Sequence, residues 1–242
     1  VTRAEYKDVM GREPSTAKAH DKDGHELTGE AAGKKPVNKV SWYDALVYCN
    51  KRSIKEKLTP CYKINGSTNP DDWGTPPTKD DKDDSDNNKK WNAAECDFTT
   101  NGYRLPTEAE WEWAAKGGKE YRWAGTDEQD ELKKYAWYAW YDDSDGGDAN
   151  NKTHEVKQKQ ANGYGLYDMS GNVWEWCWDW YDDNTPAEGH DLDGVGAGSV
   201  RVIRGGSWFN RAIYAACASR DISNPVSRCD FLGLRVAYSV GK

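Results

Sequence analysis

Aromatic side chains supply much of the large apolar surface of this 242-residue chain. Thirteen Trp and fourteen Tyr are present, whereas Leu, Ile, Val and Phe together account for only 30 residues. An aliphatic content this low is, by itself, typical of a disordered chain. Because each aromatic ring can bury about 150–250 Å², the aromatic residues replace the missing aliphatic bulk. The sequence therefore predicts a folded domain with an aromatic core.

Charge and hydropathy exclude several classes of function. The net charge is −8 and long clusters of Lys or Arg are absent, so we expect no nucleic-acid partner. The longest apolar runs fall short of about eighteen residues, so we expect no direct insertion into a membrane. The sequence shows no leader with a charged and then an apolar part, so we expect any export signal or lipid anchor to lie outside this chain. Six Cys without a C-x-x-C pair predict neither a disulfide scaffold nor a zinc site, and their pairing stays open.

Two helices are predicted from capping patterns. Ser41 and Asp44 have the spacing of a capping box, and apolar residues follow at helical spacing, which predicts a helix over 42–56. Thr107 and Glu110 repeat the pattern, and the glycine pair 117–118 should end the second helix.

Polar segments and short aromatic runs make up most of the remaining chain. Segments 69–90 and 142–151 are rich in Asp, Asn and Gly, and they predict solvated loops without the spacing of an EF-hand. After residue 134, aromatic residues alternate with turn residues, which predicts short strands and irregular loops. No repeat of about 20–50 residues is visible, so we expect one α+β domain over 1–242.

Four motifs give the sequence a specific character. They are G-Y-R-L-P-T-E-A-E-W-E-W-A-A (102–115), G-L-Y-D-M-S-G-N-V-W-E-W (165–176), R-G-G-S-W (204–208) and L-G-L-R-V-A (232–237). Together they closely resemble the formylglycine-generating enzyme (sulfatase-modifying factor) family, over about residues 36–240. The resemblance implies a C-type-lectin-like fold with few short strands, two main helices and much irregular loop.

The resemblance also implies a copper site, and its ligands are missing here. The enzymes hold copper with two Cys, two and seven residues after the aromatic residue of the Gly-Gly-Ser-aromatic motif. Counting from Trp208, these positions are Asn210 and Ala215, neither of which offers a thiolate. We therefore expect no copper and no oxidase activity. Cys217 matches a position outside the enzymes' catalytic pair and is interpreted as a core thiol.

A structural calcium site is a second implication of the resemblance. In the enzymes, one Ca²⁺ is held around the G-N-x-W-E motif, at positions that match Asp168, Gly171, Val173 and Glu175. Two carboxylates and two carbonyls are hard donors, and waters could complete the about six to eight oxygens that calcium prefers. Alternatively, the two carboxylates cap turns or pair with arginine.

The segment between the last two motifs resembles that of variable proteins of diversity-generating retroelements, a second branch of this fold. In that branch, ligand-binding positions are rewritten between a Gly-Gly-Ser-Trp and a Gly-x-Arg motif, found here at 205–208 and 233–235. Randomising the adenines of an AAC or AAT codon cannot yield Lys, Glu, Gln, Met or Trp. These types make up 55 of 242 residues, yet residues 209–231, where about five are expected, contain none. The alternative is an ordinary loop that is poor in long charged residues.

The candidate ligand contacts mix apolar and polar side chains within 209–231. They are Phe209, Asn210, Arg211, Ile213, Tyr214, Ala215, Asp221, Ile222, Ser223, Asn224, Val226, Ser227, Cys229, Asp230 and Phe231. Their number is about half of the 20–30 residues that a standard protein interface uses on each side. We therefore expect a macromolecular partner, either a protein or a glycan.

Two further groups of residues are given plainer roles. Trp174, Trp176, Trp178 and Trp180 are interpreted as core residues, with a sugar-stacking platform as the alternative. No catalysis is assigned to the histidines, which lie in polar contexts without a nucleophile pattern. They are His20, His25, His154 and His190.

The sequence thus predicts a non-enzymatic receptor or adhesion protein with a hypervariable ligand-binding surface diversified by a retroelement. We expect a monomer that is displayed at the cell surface or outside the cell. Two alternatives stay open: an oxidase of the formylglycine-generating type that uses other ligands, and an adhesion module of the same fold whose surface does not vary.

Overall fold

The computed structural model describes residues 1–15, 19–20, 26–27, 29–81, 85–139, 146–183 and 198–239. Within these ranges the helices are α1 (Arg3–Met10), α2 (Gly29–Gly33), α3 (Trp42–Lys55), α4 (Asp86–Asn92), α5 (Glu108–Lys116) and α6 (Gln129–Leu132), with 3-10 turns at Pro70–Asp72 and Ala212–Ala215. The strands are β1 (Ala19–His20), β2 (Glu26–Leu27), β3 (Tyr62–Lys63), β4 (Glu95–Cys96), β5 (Tyr103–Arg104), β6 (Trp174–Trp180), β7 (Arg201–Arg204), β8 (Arg220–Ser223), β9 (Leu232–Gly233) and β10 (Ala237–Tyr238). No helix among the described residues is both long and apolar enough to cross a membrane.

A four-stranded sheet in the order β8-β7-β6-β9 organises the C-terminal half of the chain. Strand β6 pairs antiparallel with β7, with Glu175 opposite Arg204, and parallel with β9, with Trp174 opposite Leu232. Strand β8 pairs antiparallel with β7 and forms one edge of the sheet. The other strands form two-stranded pairs, β1-β2, β3-β4 and β5-β10.

Alternate residues of β6 pack on opposite faces of this sheet, because side chains alternate along a strand. Trp176 and Trp178 lie in a cluster with Trp42 of α3, whereas Cys177 packs with Trp111 of α5. The four alternating tryptophans of β6 are at most 8% exposed. The core interpretation of these residues is therefore confirmed.

Both predicted helices are present with their predicted caps. Helix α3 starts after Ser41, whose side chain accepts a hydrogen bond from the Asp44 amide, while the Asp44 carboxylate accepts one from the Ser41 amide. Helix α5 starts after Thr107 with the same reciprocal arrangement and ends at Gly117, which has a φ of +60°. The positive φ is the left-handed conformation that glycine adopts without strain.

The prediction of a solvated loop over 69–90 is wrong in part. A 3-10 turn at Pro70–Asp72 brings Trp73 into the core, where it is 1% exposed, and α4 begins within the segment after the Ser85 cap. Residues 82–84 of this segment lie outside the described residues. The described part of the second polar segment, 146–151, contains no helix or strand, as predicted, and 142–145 lie outside the described residues.

A buried carboxylate joins α5 to the sheet. The amide of Glu108, the first residue of α5, donates to Oδ2 of Asp179 at 2.7 Å. Asp179 is 5% exposed, and burial raises its pKa to about 6, helped by the nearby Glu108 charge. Because this pKa lies above the value of about 3.9 for an unfolded Asp, the fold favours the protonated carboxyl, and charging it destabilises the native state.

Asp179→Asn is therefore expected to stabilise the protein at alkaline pH. Asparagine is neutral, and its carbonyl oxygen can still accept from the helix amide, so the free energy of unfolding should rise by on the order of 2 kcal/mol at about pH 8. The gain should shrink as the pH falls through about 6 and vanish near pH 4. Urea unfolding across this pH range, with the exposed Asp80→Asn as control, measures the difference. A variant less stable than the wild type at pH 8 would contradict this account.

Candidate ligand-binding surface

The segment 209–231, here called the display segment, runs between two strands of the central sheet. It follows β7 and the glycine pair 205–206, forms the 3-10 turn and edge strand β8, and ends before β9. Gly206 has a φ of +70°, and a Cβ on it would lie 2.9 Å from the carbonyl oxygen of Tyr214. The glycine of the motif thus lets the 3-10 turn fold back directly onto the chain.

Exposure divides the candidate contacts into three groups. Four large apolar side chains are strongly exposed, namely Phe209 (50%), Ile213 (57%), Tyr214 (44%) and Ile222 (43%). The exposed polar candidates are Arg211, Asn224 and Asp230, and the half-buried ones are Asn210, Asp221, Ser223, Val226, Ser227, Cys229 and Phe231. Ala215 is only 1% exposed.

The structure corrects the role of several candidates. Ala215 cannot contact a ligand because its side chain is buried, so its assignment was wrong. Asn210 has a structural role, since its Oδ1 accepts hydrogen bonds from Trp174 Nε1 at 2.8 Å and from the Ser207 hydroxyl at 2.5 Å. Three half-buried apolar candidates pack partly against the α3 core cluster and present only part of their surface. They are Val226, Cys229 and Phe231.

Side chains outside the display segment hold its main-chain oxygens. Trp123 Nε1 donates to the Ala212 oxygen at 2.8 Å, and the Ser170 hydroxyl donates to the Ala215 oxygen at 2.7 Å. At the other end, Asn38 Nδ2 donates to the Asp230 oxygen at 2.5 Å. These bonds are made to the backbone, so they do not depend on the side chain at the anchored position. Sequence reasoning missed them because single polar residues far along the chain carry no periodic signal.

Main-chain donors complete this anchoring. The Ala139 amide donates to the Asn210 oxygen at 2.8 Å, and the Trp174 amide donates to the Phe231 oxygen at 2.8 Å. Between β8 and β9, the Trp42 amide of α3 donates to the Pro225 oxygen at 3.0 Å, and the Lys39 amide before α3 donates to the Cys229 oxygen at 2.9 Å. The path of the display segment is thus fixed at both ends and in its middle.

Two arginines of the segment form ion pairs with the scaffold. Arg220 binds both carboxylate oxygens of Glu108, at 2.6 and 2.7 Å. Arg228 Nε lies 2.8 Å from Oδ2 of Asp44, which completes the capping box of α3. The Arg220–Glu108 pair is bidentate and partly buried, which is the strong kind of ion pair, whereas Arg228 donates to Asp44 through Nε. Both arginines therefore position the segment, and their charges are largely neutralised by the scaffold.

The four residues implied as calcium ligands line one cavity of about 430 Å³, where Glu175 is paired with an arginine. Both oxygens of Glu175 accept hydrogen bonds from Arg235, at 2.8 and 2.9 Å, and Trp111 Nε1 donates to one of them at 2.7 Å. A guanidinium already neutralises this carboxylate. Asp168 Oδ2 accepts from the Lys157 amide at 2.8 Å, and burial raises the pKa of Asp168. Gly171 and Val173 complete the implied set.

The described His, Cys, Asp and Glu side chains form no alternative metal cluster, and the thiols are not activated. No three His, Cys, Asp or Glu side chains lie close enough in this part of the chain to hold a metal ion. All six cysteines are free, and burial raises the pKa of every thiol. Cys217, with its pKa raised to about 12, packs beside Trp111, which supports the core interpretation. Thiolates are therefore disfavoured throughout.

Of the histidines, His154 lies fully among the described residues and has a packing role. Its ring stacks on Trp137 with centroids 3.7 Å apart, and Nε2 lies 2.8 Å from the Ala149 oxygen. Burial lowers the pKa of His154, which favours the neutral ring. The side chains of His20, His25 and His190 lie outside the described residues.

The comparisons with known proteins agree on the fold. The sequence matches the family model of the sulfatase-modifying factor enzyme 1-like domain over residues 1–240. The structure is similar to that of Treponema denticola variable protein 1, at 44% identity and a TM-score of 0.82, covering 98% of this chain and 81% of that one. The C-type-lectin-like fold expected from the motifs is therefore confirmed.

Curated relatives include both a chaperone and enzymes. The chaperone protein LppX of Paenibacillus barcinonensis is 39% identical over 221 residues, which are 87% of this chain and 67% of the relative. The formylglycine-generating enzyme of Streptomyces coelicolor is 38% identical over 162 residues, which are 61% of this chain and 50% of the enzyme. The chain thus spans between half and two thirds of these relatives.

The neutralised Glu175 leads to a direct test of the calcium site. Glu175→Ala should lower the free energy of unfolding by about 3–5 kcal/mol, because it leaves the Arg235 charge without its carboxylate partner and the Trp111 indole without its acceptor. Calcium chloride or EDTA should leave the melting temperature of the wild type unchanged. A clear rise in melting temperature with calcium would instead support the site that the resemblance implies.

Proposed function

The chain belongs to the family of sulfatase-modifying factor enzyme 1-like domains, and from this premise we propose that it is a non-enzymatic ligand-binding protein. Its binding surface is the display segment, and the side chains on that surface are diversified by a retroelement. The partner is a macromolecule. The protein acts as a monomer at the cell surface or outside the cell, as a receptor or an adhesion protein.

The anchoring of the segment through its main chain carries this proposal. A diversified surface must keep its backbone path while its side chains change, and here the donors to the Ala212, Ala215 and Asp230 oxygens lie outside the segment. Substitution at Ile213 or Tyr214 leaves these bonds in place. The strong exposure of both side chains also means that changes there cost little stability, since surface substitutions usually change the free energy of unfolding by less than about 0.5 kcal/mol.

The relatives support binding more than oxidation. The structure similar over 98% of this chain is named a variable protein, and the relative similar over 87% is named a chaperone protein. The relatives named formylglycine-generating enzymes favour the oxidase as the second candidate. In this chain, however, buried thiols with raised pKa values are poor copper ligands, because the thiolate is the form that binds a soft metal.

Sequencing codons 200–240 across a population of the source cells tests the diversification. Variation should fall on exposed positions such as 209, 213, 214 and 222, and every new codon should be reachable from AAC or AAT. Ala215, Arg220 and Arg228 should stay constant, because their burial or ion pairs position the segment. The upstream coding region serves as the internal control.

Two results would contradict the proposal. A uniform segment, or one that varies no more than the upstream region, would leave a binding module whose surface does not vary. Copper-dependent formation of formylglycine in a Cys-containing sulfatase peptide would establish the oxidase instead.

A further inference from the structure

The display segment concentrates exposed apolar side chains. The described residues include nine large apolar side chains with strong exposure, and four of them lie in this segment of 23 residues: Phe209, Ile213, Tyr214 and Ile222. Three of these fall within six consecutive residues. We call Phe209, Ile213 and Tyr214 the apolar cluster. Exposed apolar side chains this close together in the sequence favour an interaction site, because monomeric proteins rarely expose large apolar patches.

The backbone beneath the apolar cluster offers few free acceptors. The oxygens of Asn210, Ala212 and Ala215 accept from the scaffold. The Arg211 oxygen accepts from the Tyr214 amide at 3.0 Å, and the Ile213 oxygen accepts from the Ala216 amide just after the turn at 3.4 Å. Five of the six carbonyl groups from 210 to 215 are thus already used. A ligand here meets side chains that are mainly apolar.

From these two observations we propose that the ligand is a protein and that the apolar cluster binds an apolar patch on its surface. This inference rests on the proposed function and specifies the partner. A sugar can stack its C–H face on Tyr214, but its hydroxyl groups need hydrogen-bond partners, and five of the six carbonyl groups from 210 to 215 are already used. A hydroxyl group buried against Phe209 or Ile213 without a partner would cost about 1–3 kcal/mol. An apolar protein surface has no such cost, and aromatic side chains such as Tyr214 are the ones on which interface energy concentrates.

The charges of the segment fit a partner surface that is close to neutral. The display segment contains three Arg and two Asp. Arg220 and Arg228 are paired with Glu108 and Asp44 of the scaffold, so little net charge remains to attract a strongly charged partner. Binding through apolar contacts should depend weakly on salt, in contrast to association steered by charge.

The test uses the purified chain with two kinds of probe. One is a phage-displayed library of random constrained peptides, and the other is a panel of immobilised free oligosaccharides. The test variant is the double substitution Ile213→Ser and Tyr214→Ser. The matched control is Ile54→Ser and Tyr121→Ser, which removes the same two residue types from exposed positions outside the segment. Melting temperatures confirm that both variants fold.

The inference predicts that selected peptides are rich in aromatic and aliphatic residues. The Ile213/Tyr214 variant should bind them at least about tenfold more weakly, while the Ile54/Tyr121 control binds as the wild type does. Affinity should change by less than about threefold between roughly 50 and 500 mM NaCl.

The outcomes separate this inference from the function on which it rests. Oligosaccharides that bind the wild type and are lost by the Ile213/Tyr214 variant would overturn the protein ligand but keep the display surface. Peptide binding that the Ile54/Tyr121 control loses, or that neither variant changes, would contradict the display surface itself. A library that yields no binder would contradict the protein ligand.

Discussion

Hydrogen bonds from fixed scaffold donors to the main-chain oxygens of the display segment are the interaction on which the binding surface depends. Trp123 and Ser170 hold the 3-10 turn, and Asn38 holds the loop before β9. Because these bonds are made to main-chain oxygens, none of them depends on which side chain the anchored residue carries. The fold can therefore fix the backbone path of the display segment while its exposed side chains vary. Stability and recognition thus depend on different groups of the same segment.

The need for donors to buried main-chain oxygens also explains the aromatic composition. With most strands only two residues long, many buried main-chain oxygens have no partner in a regular sheet, and an unpaired buried oxygen is costly. Tryptophan fills core volume and also carries a donor. Trp42 Nε1 donates to the Cys177 oxygen at 3.0 Å, and Trp176 Nε1 donates to the Val40 oxygen at 3.0 Å. Leucine could fill the space, but it could not make these bonds.

Local signals predicted local structure well, and long-range contacts account for the errors. Both predicted helices begin at their capping boxes. Their starts were predictable because the capping bonds join residues only three apart in the sequence. Trp73 was missed as an anchor because one buried ring in a polar segment has no periodicity. The pairing of Glu175 with Arg235 joins residues 60 apart, so no local pattern identifies which partner the carboxylate takes. Ala215 was placed on the surface by its position in the segment, whereas its burial is a property of the folded turn.

The most direct test of the account compares the free energies of unfolding of two multiple variants. One replaces the exposed Phe209, Ile213, Tyr214 and Ile222 by serine, and the other combines Trp123→Phe with Ser170→Ala to remove two scaffold donors. Main-chain anchoring predicts a change of at most about 2 kcal/mol for the first and a loss of about 2–5 kcal/mol for the second. The account would be contradicted if the serine variant lost most of its stability while removal of the two donors had no effect.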